Sequence, residues 1–398
     1  MTVTFVSNYI NHHQIPFCNA MYKALEGDFC FIQTQPMEDE RVQMGWGQDV
    51  KKLPYLKLYY EEPRECKKRI DGSDIVLFGG VEDEHYIADR LLAKKTVVRL
   101  SERIYKSGQW KAISPRGIRK KYHDHTRYRK EKVYLLCCGG YVASDFHIVR
   151  SYPDKMFKWG YFPETRTYDI DALFRQKQEK RKQKESVSIL WAGRFLNLKH
   201  PDAAIRAAAR LKADGFQFTL TMVGGGEKEE QLKDMVAQEG LSDVVTFAGF
   251  QKPDRVREYM EAADIFLFTS DYKEGWGAVV NEAMNSGCAV VANCAAGAVP
   301  FLIKHGENGL IYPHKSEAVL YKELKMLLEQ EGMIEALGRM AYRTIAEEWN
   351  AEKAAERLLA LLPLLAEGKV RFADSGILSK APVIAPGKMY QHLIKQAK

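Results

Sequence analysis

Short apolar runs rich in β-branched and aromatic residues alternate along the chain with stretches whose apolar positions recur at helical spacing. That rhythm predicts strand–helix units on parallel sheets, because a parallel strand returns to its sheet only through a crossover. In the first part, strands are predicted at Val3–Ser7, Phe29–Gln33, Asp74–Phe78, Thr96–Leu100 and Val133–Cys138. Helices are predicted around Gln14–Leu25, Glu84–Leu92, Ile118–Arg129 and Ala143–Arg150. Gly79-Gly80 and Gly139-Gly140 follow strand ends directly, where the backbone has to turn sharply.

The alternation breaks between Thr165 and Glu185, and residues 175–184 contain no apolar side chain at all. This stretch reads as a solvated linker or an exposed helix end. Beyond it the pattern restarts, with strands predicted at Ser188–Trp191, Thr219–Val223, Val244–Phe247, Asp264–Phe268 and Ala289–Ala292. The intervening helices are predicted at Pro201–Lys212, Lys228–Glu239, Asp254–Ala262 and Ala278–Ser286, and from Ser316 to about Leu364. Pro201 suits a first helical position and Gly287 the residue just past a helix end. The expected fold class is α/β, with two doubly wound parallel-sheet domains facing a cleft. Ligands in such sheets bind beyond the carboxyl ends of the strands.

Composition narrows the class without changing this picture. The 398 residues are 46% hydrophobic and 28% charged, which is ordinary for a globular chain of about two domains. No uninterrupted apolar stretch reaches the ~18–20 residues that span a bilayer. The segment Met1–Phe5 reads as a strand rather than a leader peptide. Seven cysteines occur without a Cys-x-x-Cys pair, so buried reduced thiols in a cytoplasmic protein are expected, and no structural metal. The net charge of +7 is concentrated: between Ser101 and Lys130, ten Lys or Arg face two acids, Glu102 and Asp124, giving 10 − 2 = +8.

Three segments of the second half carry candidate chemistry. In Trp191-Ala192-Gly193-Arg194-Phe195-Leu196-Asn197-Leu198-Lys199, a strand end leads into a loop bearing two cations that can neutralise a pyrophosphate. Read alone, they are equally two surface cations. Gly224-Gly225-Gly226 lets a phosphate or sugar approach the backbone, or simply makes a tight turn. In the third segment, Glu274-Gly275-Trp276-Gly277-Ala278-Val279 runs from a glycine-bracketed loop into a helix start whose free N–H groups favour an anion. Glu282, four residues after Ala278, shares a face with that first turn and can accept both hydroxyls of a ribose. Glu274 can do the same for a second sugar. Their bland alternatives are a dipole-complementing acid and a solvated one.

Glu274-x7-Glu282 within Glu-Gly-Trp-Gly, with Gly-Arg…Lys and the glycine run, resembles the donor-binding half of retaining glycosyltransferases of family 4, which have the GT-B fold of two Rossmann-like domains. The resemblance is strong over 188–310. It implies that Arg194 and Lys199 hold a donor diphosphate, Glu282 the nucleotide ribose and Glu274 the transferred sugar. Gly193, Gly224, Gly225, Gly275, Trp276, Gly277, Ala278 and Val279 would line the donor, and backbone near Phe247–Phe250 would meet the base. The expected catalytic residues are thus Glu274, Arg194 and Lys199, with no metal and no cofactor beyond the nucleotide-sugar substrate. Preorganised cations and helix N–H groups can stabilise the departing nucleoside diphosphate by themselves.

The first half fits this family less closely. No glycine follows the first strand, and Asn8 or His12 stands where many members have a Gly-rich loop, with a helix-capping Asn11 followed by exposed histidines as the equal alternative. Ser101 and Glu102 stand where many carry a sugar-binding His. These four are candidate acceptor or sugar contacts. The basic stretch 111–130 suits an anionic membrane surface, with a solvated helix face as the alternative, and no nucleic-acid motif accompanies it. The expected organisation is an acceptor domain over 1–163, a linker over 164–186, a donor domain over 187–366 and a segment over 367–398 that crosses back to the first domain. The expected activity is transfer of a sugar from a nucleotide-diphosphate sugar to a glycan or lipid-linked acceptor in cell-surface polysaccharide synthesis, on the cytoplasmic side and peripheral to the membrane. A nucleotide-sugar epimerase and a non-catalytic sugar-nucleotide-binding subunit are the competing readings.

Overall fold

The computed structural model describes residues 1–38 and 52–396. Its internal contacts divide the chain into two units, Met1–Glu164 with Trp349–Ala385, and Thr165–Glu348 with Pro386–Lys398.

The first unit is built on a seven-stranded sheet: β1 (Val3–Ser7), β2 (Phe29–Gln33), β3 (Leu56–Leu58), β4 (Ile75–Gly79), β5 (Val97–Ser101), β6 (Val133–Cys138) and β7 (Met156–Trp159). Their spatial order is β3-β2-β1-β4-β5-β6-β7, and every pairing is parallel. β1, β2, β4 and β6 are buried at every position, which is why each reads as a continuous apolar run. The later residues complete this unit. The helix Ala351–Ala366 packs on the helix Ile15–Leu25, and the Tyr134 hydroxyl donates to the carbonyl of Leu365 at 2.9 Å. The β7 edge is then covered by residues 378–381, with Lys158 N–H donating to Ser379 O at 2.8 Å and Ala381 N–H to Met156 O at 3.0 Å.

The second unit carries a six-stranded sheet: β8 (Val187–Ala192), β9 (Phe218–Val223), β10 (Val245–Gly249), β11 (Ile265–Phe268), β12 (Ala289–Asn293) and β13 (Leu310–Tyr312), in the order β10-β9-β8-β11-β12-β13. All of its pairings are parallel. Its core gathers Trp191, Phe195, Met222, Ile265 and Leu267 with helix residues such as Ala204, Leu211 and Leu324. The chain therefore has two Rossmann-like parallel-sheet halves, as expected. All seven cysteines are buried and free. Among the described residues, no helix is long and apolar enough to cross a membrane.

Several expectations need correction. The stretch 164–186 is mostly helix, Ile170–Lys184, belonging to the second unit. Leu173, Phe174 and Lys177 point inward, Arg181 pairs with the buried Asp264 at 3.4 Å, and the remaining cations face solvent. The buried Lys177 ammonium donates to the carbonyls of Met260 (3.4 Å) and Ala263 (2.5 Å), a role that polarity alone cannot reveal. The long helix expected from Ser316 is three, Glu317–Glu329, Met333–Arg343 and Ala351–Ala366, and the last belongs to the first unit. The crossing back therefore begins at Trp349 rather than 367. The final helix, Pro386–Gln396, groups with the second unit, where Met389 and Leu393 are buried; residues 397 and 398 lie outside those described. The short edge strands β3, β7 and β13 and the helix Pro63–Gly72 also went unpredicted, the strands being three or four residues long.

Candidate functional site

In each sheet the strand order reverses once, between β1 and β4 and between β8 and β11. A crevice opens beyond the carboxyl ends of the strands at such a point, because the crossovers on either side leave in opposite directions. In the second unit, Arg194 and Lys199 follow β8, and Glu274 and Glu282 follow β11.

The loop after β8 is held against its neighbours by the backbone. Gly193 N–H donates to Val223 O at 3.0 Å and Phe195 N–H to Gly225 O at 2.8 Å. Gly224 has φ +136°, and a Cβ there would lie 1.9 Å from Gly193 O, so only glycine allows the two loops to touch. Phe195 is fully buried while Arg194 beside it is exposed. The chain then makes a single turn at Asn197–Lys199, and His200 adopts a left-handed conformation (φ 47°, ψ 53°) before the helix Pro201–Ala213. Pro201 occupies its first turn as predicted.

That turn is pinned to the loop after β11. The buried Thr269 hydroxyl accepts from the Trp191 indole at 2.8 Å and donates to Lys199 O at 2.6 Å. Asp271 N–H donates to Leu198 O at 2.9 Å, and the Asp271 carboxylate meets His200 Nε2 at 3.1 Å. The result is a direct ion pair between the Lys199 ammonium and the Glu274 carboxylate, both largely buried. Burial alone would raise the Asp271 carboxyl, but hydrogen bonds from His200 and from Lys273 N–H, with the neighbouring His200 and His314 rings, outweigh it and lower it. Asp271, His200, Thr269 and His314 were not singled out from sequence. The only available signal was the position of His200 next to Lys199.

The rest of the loop is set by Gly277, whose φ of +93° brings it so close to Phe268 that a Cβ would lie 2.4 Å from the ring. Trp276 packs inward. Its indole is buried and donates to Asn281 Oδ1 at 2.8 Å, and its carbonyl accepts Ala298 N–H at 3.0 Å, so it anchors the loop from inside. The helix Val279–Asn285 follows, with Ala278 as its N-cap and Gly287 just beyond its end at φ +68°. Glu282 is half-buried on this helix, and its carbonyl accepts from Arg257 at 3.1 Å. Phe250 is exposed just past β10, at the same carboxyl edge.

In the first unit, Asn8 follows β1, and its Oδ1 accepts from the Ser7 hydroxyl at 3.2 Å. His12 is partly buried, and burial lowers its imidazole from 6.5 to about 4, so it is neutral near pH 7. Ser101 ends β5 and donates to Glu102 O at 2.7 Å. The Glu102 carboxylate is held by Lys106 at 2.5 Å and by the Tyr161 hydroxyl at 2.8 Å. Among the described residues, no group of three or more His, Cys, Asp or Glu has metal-binding geometry. One Asp-x-Asp triplet occurs, Asp169-Ile170-Asp171, and it serves structure: Asp169 caps a helix by accepting Ala172 N–H at 3.0 Å, and Asp171 pairs with Arg339 at 2.6 Å.

Comparison with known proteins agrees with this geometry. The chain is 31% identical over 187 residues to the amylovoran biosynthesis glycosyltransferase AmsK of Erwinia amylovora, covering 46% of each chain. It is 27% identical over 174 residues to the lipopolysaccharide core biosynthesis glycosyltransferase LpsE of Rhizobium meliloti, covering 44% of this chain and 49% of the relative. These matches span about half the length of the curated relatives. Among solved structures, Anabaena Alr3699/HepE in complex with UDP shares the fold with a TM-score of 0.67 at 16% identity, over 91% of this chain and all of that one. Residues 174–344, which include the loops after β8, β9 and β11, match the family model of glycosyl transferases group 1.

Proposed function

We propose that the chain is a retaining, metal-independent glycosyltransferase that moves a sugar from a nucleotide-diphosphate sugar to a glycan or lipid-linked acceptor. The observation that carries this reading is the buried Lys199–Glu274 pair at the sheet's reversal point, beside backbone loops packed tightly enough to require Gly224. A buried ammonium already balanced by one carboxylate can turn to an entering diphosphate, releasing the carboxylate towards the sugar hydroxyls. Arg194, exposed on the same loop, supplies the second cation, and the N–H groups opening the helix at Ala278 and Val279 supply neutral donors. Glu282 then takes the ribose, while Gly193, Gly224, Gly225, Gly275 and Gly277 keep the backbone close to the donor.

The bond from the sugar's anomeric carbon to the phosphate oxygen breaks as the acceptor oxygen bonds to the same face of that carbon. The acceptor proton passes to the departing phosphate, so no protein nucleophile is required. Asn8, His12, Ser101 and Glu102 serve the acceptor or the sugar in this reading. A cell-surface polysaccharide or lipopolysaccharide product is supported by the names of AmsK and LpsE, and a uridine nucleotide by the HepE complex. Seven buried free thiols suit a cytoplasmic location.

The test is a panel of nucleotide sugars against the full chain, read by thermal shift and then by product analysis. The right donor at 100 times its dissociation constant should stabilise by about 2.7 kcal/mol. Lys199→Met should lower turnover by about 10²–10³-fold. No shift with any nucleoside-diphosphate sugar would overturn the assignment; an inverted product or activity lost to a chelator would overturn the mechanism.

A further inference from the structure

Large hydrophobic side chains exposed among the described residues are few, and four of the twelve fall in one short stretch: Trp110 (69% exposed), Ile113 (77%), Ile118 (50%) and Tyr122 (60%). Residues 110–122 also carry Lys111, Arg116, Arg119, Lys120 and Lys121 and contain no acid. The stretch is ordered as a short turn, Gln109–Ile113, followed by the helix Pro115–Asp124, with Ser114 capping its N-terminus. Ile118 and Tyr122 lie one turn apart on this helix, so they share a face, and Pro115 extends that face towards the turn. Arg119 and then Arg116 follow around the helix from that face, and Lys120 lies on the far side near Asp124. The opposite face is fixed to the fold: Asp124 is buried, and its carbonyl accepts from the Arg99 guanidinium at 2.9 Å.

Ile113, Arg116, Ile118 and Arg119 are exposed, whereas the Lys111 ammonium lies over the Trp110 ring, 5.7 Å from its centre, and Lys121 is partly buried facing Asp124, Glu84 and Glu82. Among the described residues, none of the five cations forms an ion pair. Four acids, Glu82, Asp83, Glu84 and Asp124, share a 570 Å³ cavity with Lys120, His123 and Arg127, and Lys111, Arg116 and Arg119 do not line it. A purely anionic partner would exploit the cations but leave Ile113 and Ile118 in water. A bilayer bearing anionic headgroups takes both, since phosphate meets the Lys and Arg heads while the aliphatic groups and the indole enter the acyl boundary.

We propose that residues 110–122 dock the chain on the surface of an anionic phospholipid bilayer, with Trp110, Ile113, Ile118 and Tyr122 inserted and the adjacent cations on the headgroups. This goes beyond the transferase assignment and stands independently of it, because no donor-site residue takes part. The experiment is co-sedimentation of the full chain with vesicles rich in phosphatidylglycerol or made only of phosphatidylcholine, with heparin binding in parallel. Binding to the anionic vesicles alone is expected. Arg116→Glu with Arg119→Glu should weaken it by about tenfold or more. Ile113→Ser with Ile118→Ser should weaken vesicle binding similarly while leaving heparin binding unchanged. Trp110→Phe should remove a vesicle-induced blue shift of tryptophan emission, and because these side chains are exposed the variants should melt as the parent does. No sedimentation with phosphatidylglycerol vesicles would overturn the proposal, as would vesicle binding indifferent to the isoleucines, which would mark a general polyanion site. A chain that docks on vesicles but binds no nucleotide sugar would defeat the transferase reading alone.

Discussion

The two units share a parallel-sheet architecture, and both commit buried cations to the fold, but the second also holds one at its site that is not so committed. In the first, buried arginines are committed to the fold. Arg90 donates to the carbonyls of Ile70, Ser73, Asp74 and Thr96 at 2.6–3.1 Å, Arg99 grips Glu84 through two 2.6 Å contacts, and Arg103 pairs with the buried Asp145. In the second, Lys177 and Arg257 are committed in the same way, but the largely buried cation at the reversal of strand order, Lys199, meets a single carboxylate at the end of a loop. An arginine clamped to four carbonyls cannot turn to a ligand without exposing them. A lysine balanced by one glutamate can. The difference separates charge that builds a sheet from charge available for chemistry, although both are buried.

The largest effect expected from breaking this comparison is at Gly224. Gly224→Ala should cost the second unit about 3 kcal/mol or more, because the added Cβ meets a backbone oxygen at 1.9 Å. Gly27→Ala in the first unit has nothing within 4 Å and should leave the calorimetric transition in place. Glu84→Gln should destabilise the first unit by about 2 kcal/mol, since it leaves Arg99 buried without its counter-ion, and should leave donor affinity unchanged. A fall in nucleotide affinity in that variant would show that the two roles of charge are not separate.

The smallest expected effect is an acid asymmetry. Burial lowers His12 to about 4; burial and the His12 charge lower His13, and burial with Arg99, Lys121 and Lys120 lowers His125, all in the first unit. Each folded imidazole holds its proton more weakly than the unfolded one at 6.5. Their contribution is therefore complete above pH ~6.5 and is lost as pH falls towards the folded values. In the second unit, His305 and His314 are lowered as well. Calorimetry between pH ~7 and ~5 should show the first unit's transition falling faster, and His12→Gln should reduce the gap.

Much of this was legible in the sequence where one physical signal dominated. β1, β2 and β6 lie at their predicted residues because a strand buried on both faces is a continuous apolar run. Pro201 and Gly287 marked helix ends through backbone geometry that few other residues allow. Legibility failed where a residue's partner is distant in the chain. Lys177 is a core residue only because three carbonyls from 260 to 287 surround it. At the site, the loop motifs and the family resemblance pointed to both Lys199 and Glu274 but could not reveal that they touch, nor that Thr269 and Asp271 hold the turn between them.

The chain passes from one unit to the other three times, at Glu164, Glu348 and Ala385. As the ribosome releases the polypeptide, the first sheet emerges whole yet waits through nearly two hundred further residues for the helix Ala351–Ala366 and the strip that seals β7. The second half in turn receives the helix Pro386–Gln396 only after residues 349–385 of the first unit have been synthesised. Neither half can be excised as one contiguous fragment, and a nascent chain halted before residue 386 holds the Lys199–Glu274 loops in an unfinished body.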